Sequence, residues 1–372
     1  MGCTSSSTAY EAPDPLAFLP QDATPYNGPP VEYLFVNVPV TMTAKYRGLI
    51  GYGMNTTTDI DAYYPLLAQQ YANGYHLLQF NMIPGTYDRH GAFSMSMTYD
   101  FQGIFAKNQY EQPNEWQLYV IKSAITPQFL QTGIQMMFSV SRDVVTDTSH
   151  LIGQITDISS RGGRLICLEG SMQTSTSYHA MGRRGQRLAA LGMDVGGQTG
   201  VVGIDLLFQL PTNPSPPRYT YQAVHIPITS TVRTGFMTSG FENNFDWSAP
   251  LQSYLSAGWK LVDVFYDNST SVSGAFSRSI TQNSVWFFEK EVQRLEDPRP
   301  QYQGAVIEYW HQVQLGWVSN SRATAIGNWN DTVTEMGRRG WELSCIVQTN
   351  GVQLTGRTVS HKLMLIFQRR IL

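Results

Sequence analysis

The sequence predicts an α+β protein of two homologous halves, each with two strand–helix–strand–strand repeats forming antiparallel sheet with helices on one face. Three observations predict it. Aromatic residues make up 12% of the 372-residue chain, a level that favours sheet-rich packing. The opening strands of the halves match, Tyr33-Leu34-Phe35-Val36-Asn37-Val38-Pro39-Val40-Thr41 against Tyr221-Gln222-Ala223-Val224-His225-Ile226-Pro227-Ile228-Thr229. A shorter motif recurs four times, as Gly74-Tyr75-His76-Leu77, Gly162-Gly163-Arg164-Leu165, Gly258-Trp259-Lys260-Leu261 and Gly340-Trp341-Glu342-Leu343.

Residues 1–30 are rich in Ser, Thr, Pro and Gly and read as a flexible tether. The first half runs over 31–210, a Pro-rich linker over 211–217, and the second half over 218–372. Pro39 and Pro227 donate no ladder hydrogen bond, so each implies an edge position or a strand end. Each motif follows a helix-like stretch, with Asp61, Ser149, Ser248 and Asn330 placed as N-caps and Pro250 in a first turn. The motif glycine ends that helix in the left-handed conformation. The chain then enters a strand in which the aromatic and the Leu two residues on share a face. In the fourth copy Trp341, Leu343, Cys345 and Val347 alternate against Glu342, Ser344 and Gln348; in the second, Gly163 replaces the aromatic, so that core must be filled differently. Apolar runs at 101–105, 201–210, 285–288 and 363–367 supply the last strand of each repeat.

Net charge is −3 and charged residues are 14% of the chain, which gives no electrostatic case for nucleic acid. Cys167 and Cys345 sit in apolar runs and read as small buried hydrophobes, a usage suited to a reducing compartment. No stretch of 18 apolar residues occurs, so no helical membrane span is expected.

The start, Met1-Gly2-Cys3-Thr4-Ser5-Ser6, carries the strongest functional signal. Once Met1 is removed, Gly2 presents the α-amine a myristoyl transferase accepts, and Ser6 completes the recognition window. One myristoyl chain binds membranes only marginally, on the order of 10⁴ M⁻¹, so stable anchoring needs a second signal. No Lys or Arg precedes Lys45, which leaves palmitate on Cys3. The expectation is a dually acylated protein held on the inner leaflet of a membrane.

Catalytic chemistry is thin. The seven histidines show no metal-ligand spacing, and His76 and His225 read as structural residues within strands. There is no Gly-x-Ser-x-Gly elbow and no phosphate-binding loop, and Gly196-Gly197-Gln198-Thr199-Gly200 reads as a hairpin connection. Neither a metal nor a cofactor is expected. Arg183, Arg184 and Arg187 lie in a Gly-rich loop as candidate contacts for anionic headgroups, at about 1 kcal/mol each, or as a solvated loop. Arg161 and the pair Arg338-Arg339 read as structural, the pair complementing a helix dipole.

The Met1-Gly2-Cys3 start together with Tyr221 to Ile228, Ser253 to Phe265, Trp329 to Val347 and Lys362 to Arg370 resembles the raftlin family. The likeness is that of a short form, with only a seven-residue linker where vertebrate members carry a long disordered insertion, and without their acidic tail. The resemblance implies acylation at Gly2 and Cys3, residence on the cytoplasmic face of the plasma membrane in lipid rafts or on endosomal membranes, and a role in antigen-receptor signalling and uptake of innate immune receptors. Two function classes follow. One is a lipid-anchored, non-enzymatic scaffold or adaptor that organises raft membrane and receptor complexes. The other is a small-molecule or lipid-binding module, possible hydrolysis included, with its pocket between sheet and helices. A pocket of converging titratable groups favours the second; filled cores favour the first.

Overall fold

The computed structural model describes residues 26, 28–46, 53–89, 96–107, 115–135, 139–178, 198–234, 239–243, 245–273, 279–316 and 322–371. Among them the chain forms eighteen strands and four α-helices. The α+β expectation is overturned: the protein is mostly β, with curled antiparallel sheets. Its helices do not cover one sheet face. The physical reason is length. Strands of up to 16 residues dominate, while the helices span only 5 to 12 residues.

Four units follow one another along the chain. Unit 1 holds β1 (Glu32–Tyr46), β2 (Gly53–Thr58), α1 (Tyr64–Ala68), β3 (His76–Met82), β4 (Tyr87–Arg89) and β5 (Ser96–Lys107). Unit 2 holds β6 (Trp116–Ile125), β7 (Gln128–Gln135), β8 (Ser139–Val145), α2 (Ser149–Ser160), β9 (Arg164–Tyr178) and β10 (Gln198–Pro211). Unit 3 holds β11 (Tyr219–Thr234), β12 (Ser239–Asn243), α3 (Ser248–Ser256), β13 (Lys260–Ser273) and β14 (Ser279–Glu291). Unit 4 holds β15 (Tyr302–Leu315), β16 (Arg322–Ile326), α4 (Asn330–Arg338), β17 (Glu342–Thr355) and β18 (Thr358–Arg370).

In every unit the last strand lies between the first strand and the motif strand, all antiparallel: β1–β5–β3, β6–β10–β9, β11–β14–β13 and β15–β18–β17. The remaining strands join units. A twelve-stranded sheet combines strands of units 1, 2 and 4, through β2 on β9 and β16 on β4; a six-stranded sheet extends unit 3 with β8 and β7. Each helix packs against the first strand of the following unit, α1 on β6, α2 on β11, α3 on β15, and α4 back on β1. The motif strands touch in the same cyclic order, β3, β9, β13, β17 and again β3. The result is a closed four-unit ring with the motif strands around its axis.

Local chemistry sets each unit. Gly74, Gly162, Gly258 and Gly340 have φ of +78°, +84°, +82° and +76°, the left-handed turn that redirects the chain from helix to strand. Ser149, Ser248 and Asn330 are not N-caps but first helical residues; Asp61 lies inside a 3₁₀ turn that precedes α1. Asp147, Asp246 and Asn328, two residues upstream, accept their backbone N–H groups at 2.9 Å each. At Pro39 and Pro227 the strand has one neighbour only, because β2 and β12 join further on, at Met42 and Ser230. Ile158 and Leu210 occupy the space an aromatic would take at position 163.

Four apolar clusters, one per helix, straddle the unit boundaries. The second packs Leu151, Ile155 and Ile158 of α2 with Phe208 of its own unit and Val285 and Phe287 of unit 3. The third packs Trp329, at the N-cap of α4, and Val333 and Met336 of that helix with Ile104 of unit 1. A tyrosine from each half pins the preceding unit. Tyr221 Oη accepts the Leu165 N–H at 2.9 Å, and Tyr33 Oη accepts the Leu343 N–H at 2.7 Å while donating to the Trp341 carbonyl at 2.9 Å. Tyr33 therefore closes the ring between units 4 and 1. Tyr33→Phe leaves a buried N–H without its partner and is expected to lower unfolding free energy by about 1–3 kcal/mol in urea titration.

Candidate functional site

All four motifs deliver their third residue to one place. His76, Arg164, Lys260 and Glu342 line a single cavity of about 60 Å³ on the ring axis, with Gln209, Glu289 and Ser344. The reason is local. In each motif strand the ladder skips one residue, Leu78, Ile166, Val262 or Ser344, a β-bulge at the same motif position four times over. A bulge breaks the two-residue alternation. The expected single face of Trp341, Leu343, Cys345 and Val347 is accordingly split: Trp341 and Leu343 join the α4 cluster, while Cys345 and Val347 pack with unit 3. The third motif residue, opposite the Trp and Leu, faces the axis.

Each of these residues has a cross-strand partner: Ala106 opposite His76, Gln209 opposite Arg164, Glu289 opposite Lys260 and Gln368 opposite Glu342. Charges are neutralised between units rather than within strand pairs. Arg164 grips Glu289 with Nη2 at 2.6 Å and Nε at 3.0 Å, a forked contact from unit 2 to unit 3. Lys260 Nζ reaches Glu342 at 2.6 Å, from unit 3 to unit 4. Burial pushes the Glu342 carboxyl up, but the Lys260 ammonium outweighs it and holds the group below its ordinary range. The Gln368 amide clasps unit 3, accepting from Leu261 N–H at 2.7 Å and donating to its carbonyl at 2.8 Å. Gln209 Oε1 is buried and accepts no hydrogen bond from the described residues.

The next layer along the axis holds Gln79, Cys167, Asp263 and Cys345, the residues after the four bulges. Burial raises both thiols, so they are held protonated. Both are free and buried, as small hydrophobes. Asp263, 2% exposed, accepts the Leu168 N–H at 2.8 Å and the Val264 N–H at 2.9 Å. Burial lifts its carboxyl to about 6, against these hydrogen bonds and one from Gln79.

The motif residues flank this core. Trp341 lies under Arg369 at 4.5 Å, Trp259 near Lys290 at 5.9 Å and Tyr75 near Lys107 at 5.6 Å, three equivalent cation–ring contacts. His76 reaches the cavity; His225 lies outside it, with Nδ1 3.0 Å from Asn283 Nδ2. Arg161 pairs with Asp157, and Arg338 and Arg339 with Glu335, all at helix ends. Gly2, Cys3, Arg183, Arg184 and Arg187 lie outside the described residues, as do Gly196 and Gly197; Gln198-Thr199-Gly200 opens β10. Sequence reasoning singled out the motif glycines and aromatics and passed over Arg164, Lys260 and Glu342. The available signal was a charged residue at the same place in three apolar strands.

No known protein family, curated protein or solved structure matches the chain. The raftlin likeness thus rests on the residues quoted above.

Glu342→Gln leaves the partly buried Lys260 charge without its carboxylate and is expected to cost about 1.5–3 kcal/mol, whereas Lys260→Met with Glu342→Leu should be nearly neutral in chemical denaturation. Asp263 carries a pH signature. Its folded pKa lies above the unfolded value, so its contribution is present below pH 4 and lost as pH rises through about 6. Stability of Asp263→Asn relative to the wild-type chain is expected to improve by about 3 kcal/mol between pH 4 and 7, read from paired melts.

Proposed function

We propose that the protein is a lipid-anchored, non-enzymatic binding module whose ring-shaped body takes a small polar molecule at its axis. The observation that carries this reading is the convergence of the third motif residue of all four units on one cavity. Eight apolar and seven polar residues line this cavity, and convergent polar groups in a concave site mark a candidate for small-molecule binding. Binding is favoured over hydrolysis because Arg164 and Lys260 are each committed to a carboxylate. A nucleophile–base pair would need partners left for substrate. Four repeats that filled this space with apolar side chains would have pointed to scaffolding alone.

Acylation of Gly2 and Cys3 is the second element of the proposal, supported by the residue pattern of the start. The chain enters the body beside α4: the Val31 N–H donates to the Gly337 carbonyl at 2.8 Å, and the Arg369 guanidinium stacks 4.6 Å from the Tyr26 ring. A raft scaffold or adaptor that supports receptor signalling or uptake is the second reading, and the raftlin resemblance favours it. The two are compatible, since a membrane-held body can also sense a ligand.

Two measurements on the full-length chain test the parts separately. Alkyne-tagged myristate and palmitate should label the wild-type chain; Gly2→Ala should lose both labels and Cys3→Ser only palmitate. A thermal-shift screen of small polar metabolites should raise the melting temperature for at least one compound, with the gain lost in Lys260→Met/Glu342→Leu. Absence of both lipids would sink the anchor, and absence of any shift would sink the binding site.

A further inference from the structure

The axial cavity opens beside a second, smaller one that shares Lys260 and Glu289 with it. This vestibule is lined by the end of β14, the β14–β15 connection and the end of β18, and it adds Lys290, Glu291, Arg294 and Arg370. The two cavities together therefore hold five cationic side chains, Arg164, Lys260, Lys290, Arg294 and Arg370, against three carboxylates, Glu289, Glu291 and Glu342. That is an excess of two positive charges among the Lys, Arg and carboxylate side chains, inside a chain whose net charge is −3. Low-dielectric walls focus such an excess toward the opening and raise the local concentration of anions.

The arrangement of partners sharpens the point. Lys290 is 6% exposed, and its Nζ donates to two backbone carbonyls, Ala257 at 3.0 Å and Asp297 at 2.7 Å. Those bonds satisfy two of its three protons without cancelling its charge. Arg370 is exposed at the opening. Deeper in, Arg164 and Lys260 are paired with Glu289 and Glu342. Among the residues that line the axial cavity, Gln209 asks for the opposite chemistry. Gln209 Oε1 is a buried carbonyl oxygen that receives no hydrogen among the described residues, so it calls for an O–H or N–H donor.

Building on the binding reading above, we propose that the axial site and its vestibule take a small organic anion, a carboxylate or phosphate monoester, that also bears a hydroxyl or amino hydrogen. The anionic group engages Arg164 and Lys260, each of which keeps its carboxylate partner, after passing Arg294 and Arg370. The donor hydrogen meets Gln209 Oε1. The charge sets the class, and the amide selects within it.

The test is calorimetric titration and thermal shift on the full chain with five probes: lactate, glycerol 3-phosphate, acetate, glycerol and ethanolamine. Lactate or glycerol 3-phosphate should bind about tenfold tighter than acetate, a difference of about 1.4 kcal/mol, with affinity falling as salt rises. Which of the two prevails tells carboxylate from phosphate. Gln209→Leu should bring the hydroxylated anion down to the level of acetate. Arg370→Glu, at an exposed position, should weaken every anion while leaving the melting temperature of the ligand-free protein unchanged. Binding of glycerol or ethanolamine without the anions would overturn the anionic class and leave the cavity a binding site. Equal binding of acetate and lactate, unaltered by Gln209→Leu, would overturn the donor requirement. Should no probe or screened metabolite bind, the site itself falls, and this inference with it.

Discussion

The bulge one residue past the motif leucine is the constraint on which the rest of the ring depends. A strand with unbroken alternation would keep Trp341, Leu343, Cys345 and Val347 on one side and could serve only one cluster. Skipping Ser344 lets the same strand feed two clusters, its own helix layer and the layer shared with unit 3. The extra residue also increases local twist, which long strands need in order to curl around an axis rather than stack flat. Four equivalent bulges place four motif strands edge-on to one another. Their backbone groups near the bulge then require partners from the next unit, and they find them in the Tyr33 and Tyr221 hydroxyls, the Asp263 carboxylate and the Gln368 amide. Ring closure is thus a matter of hydrogen-bond completion as much as of apolar burial.

Much of the repeat was legible in the sequence, because glycine conformation and strand entry are local properties. Gly74, Gly162, Gly258 and Gly340 follow from the need for positive φ at a helix end, and the filled space beside Gly163 follows from the missing aromatic. The class was not legible. Ser/Thr-rich segments such as Thr229–Thr234 and Ser269–Ser273 carry no apolar period, yet they extend β11 and β13 well past the motif. Propensity gives such segments little weight, and cross-strand pairing decides them. The helices shrank for the same reason. Capping went astray by two residues because Asp147 and Asp246 cap through a turn before the helix, a geometry that residue type alone does not distinguish from a direct N-cap.

The axial site escaped for a different reason. A charged residue inside an apolar strand is ordinarily read as the solvent face of an amphipathic pattern, and Glu342 fits that reading over its own segment. Only the cyclic contact of the four motif strands turns those solvent faces inward upon one another. Signals of that kind exist in the relation between repeats, at Arg164, Lys260 and Glu342 taken together, and not in any one window.

That relation also explains how the repeats diverged. Copies of one unit closed into a ring would set the same side chain four times around an axis, and four like charges a few ångströms apart in a low-dielectric interior cannot all stay ionised. Conserving the motif while closing the ring therefore requires the third residue to differ between units. The chain meets that requirement with His76, Arg164, Lys260 and Glu342, and with Ala106, Gln209, Glu289 and Gln368 across from them. The charges that result pair between units: Arg164 with Glu289, Lys260 with Glu342. Unit 1 supplies no permanent charge at either position, which leaves the Arg164–Gln209 side of the axis without a second ion pair. The asymmetry that lets the charges pair is the same asymmetry that leaves the Gln209 amide oxygen at the centre without a hydrogen-bond donor among the described residues.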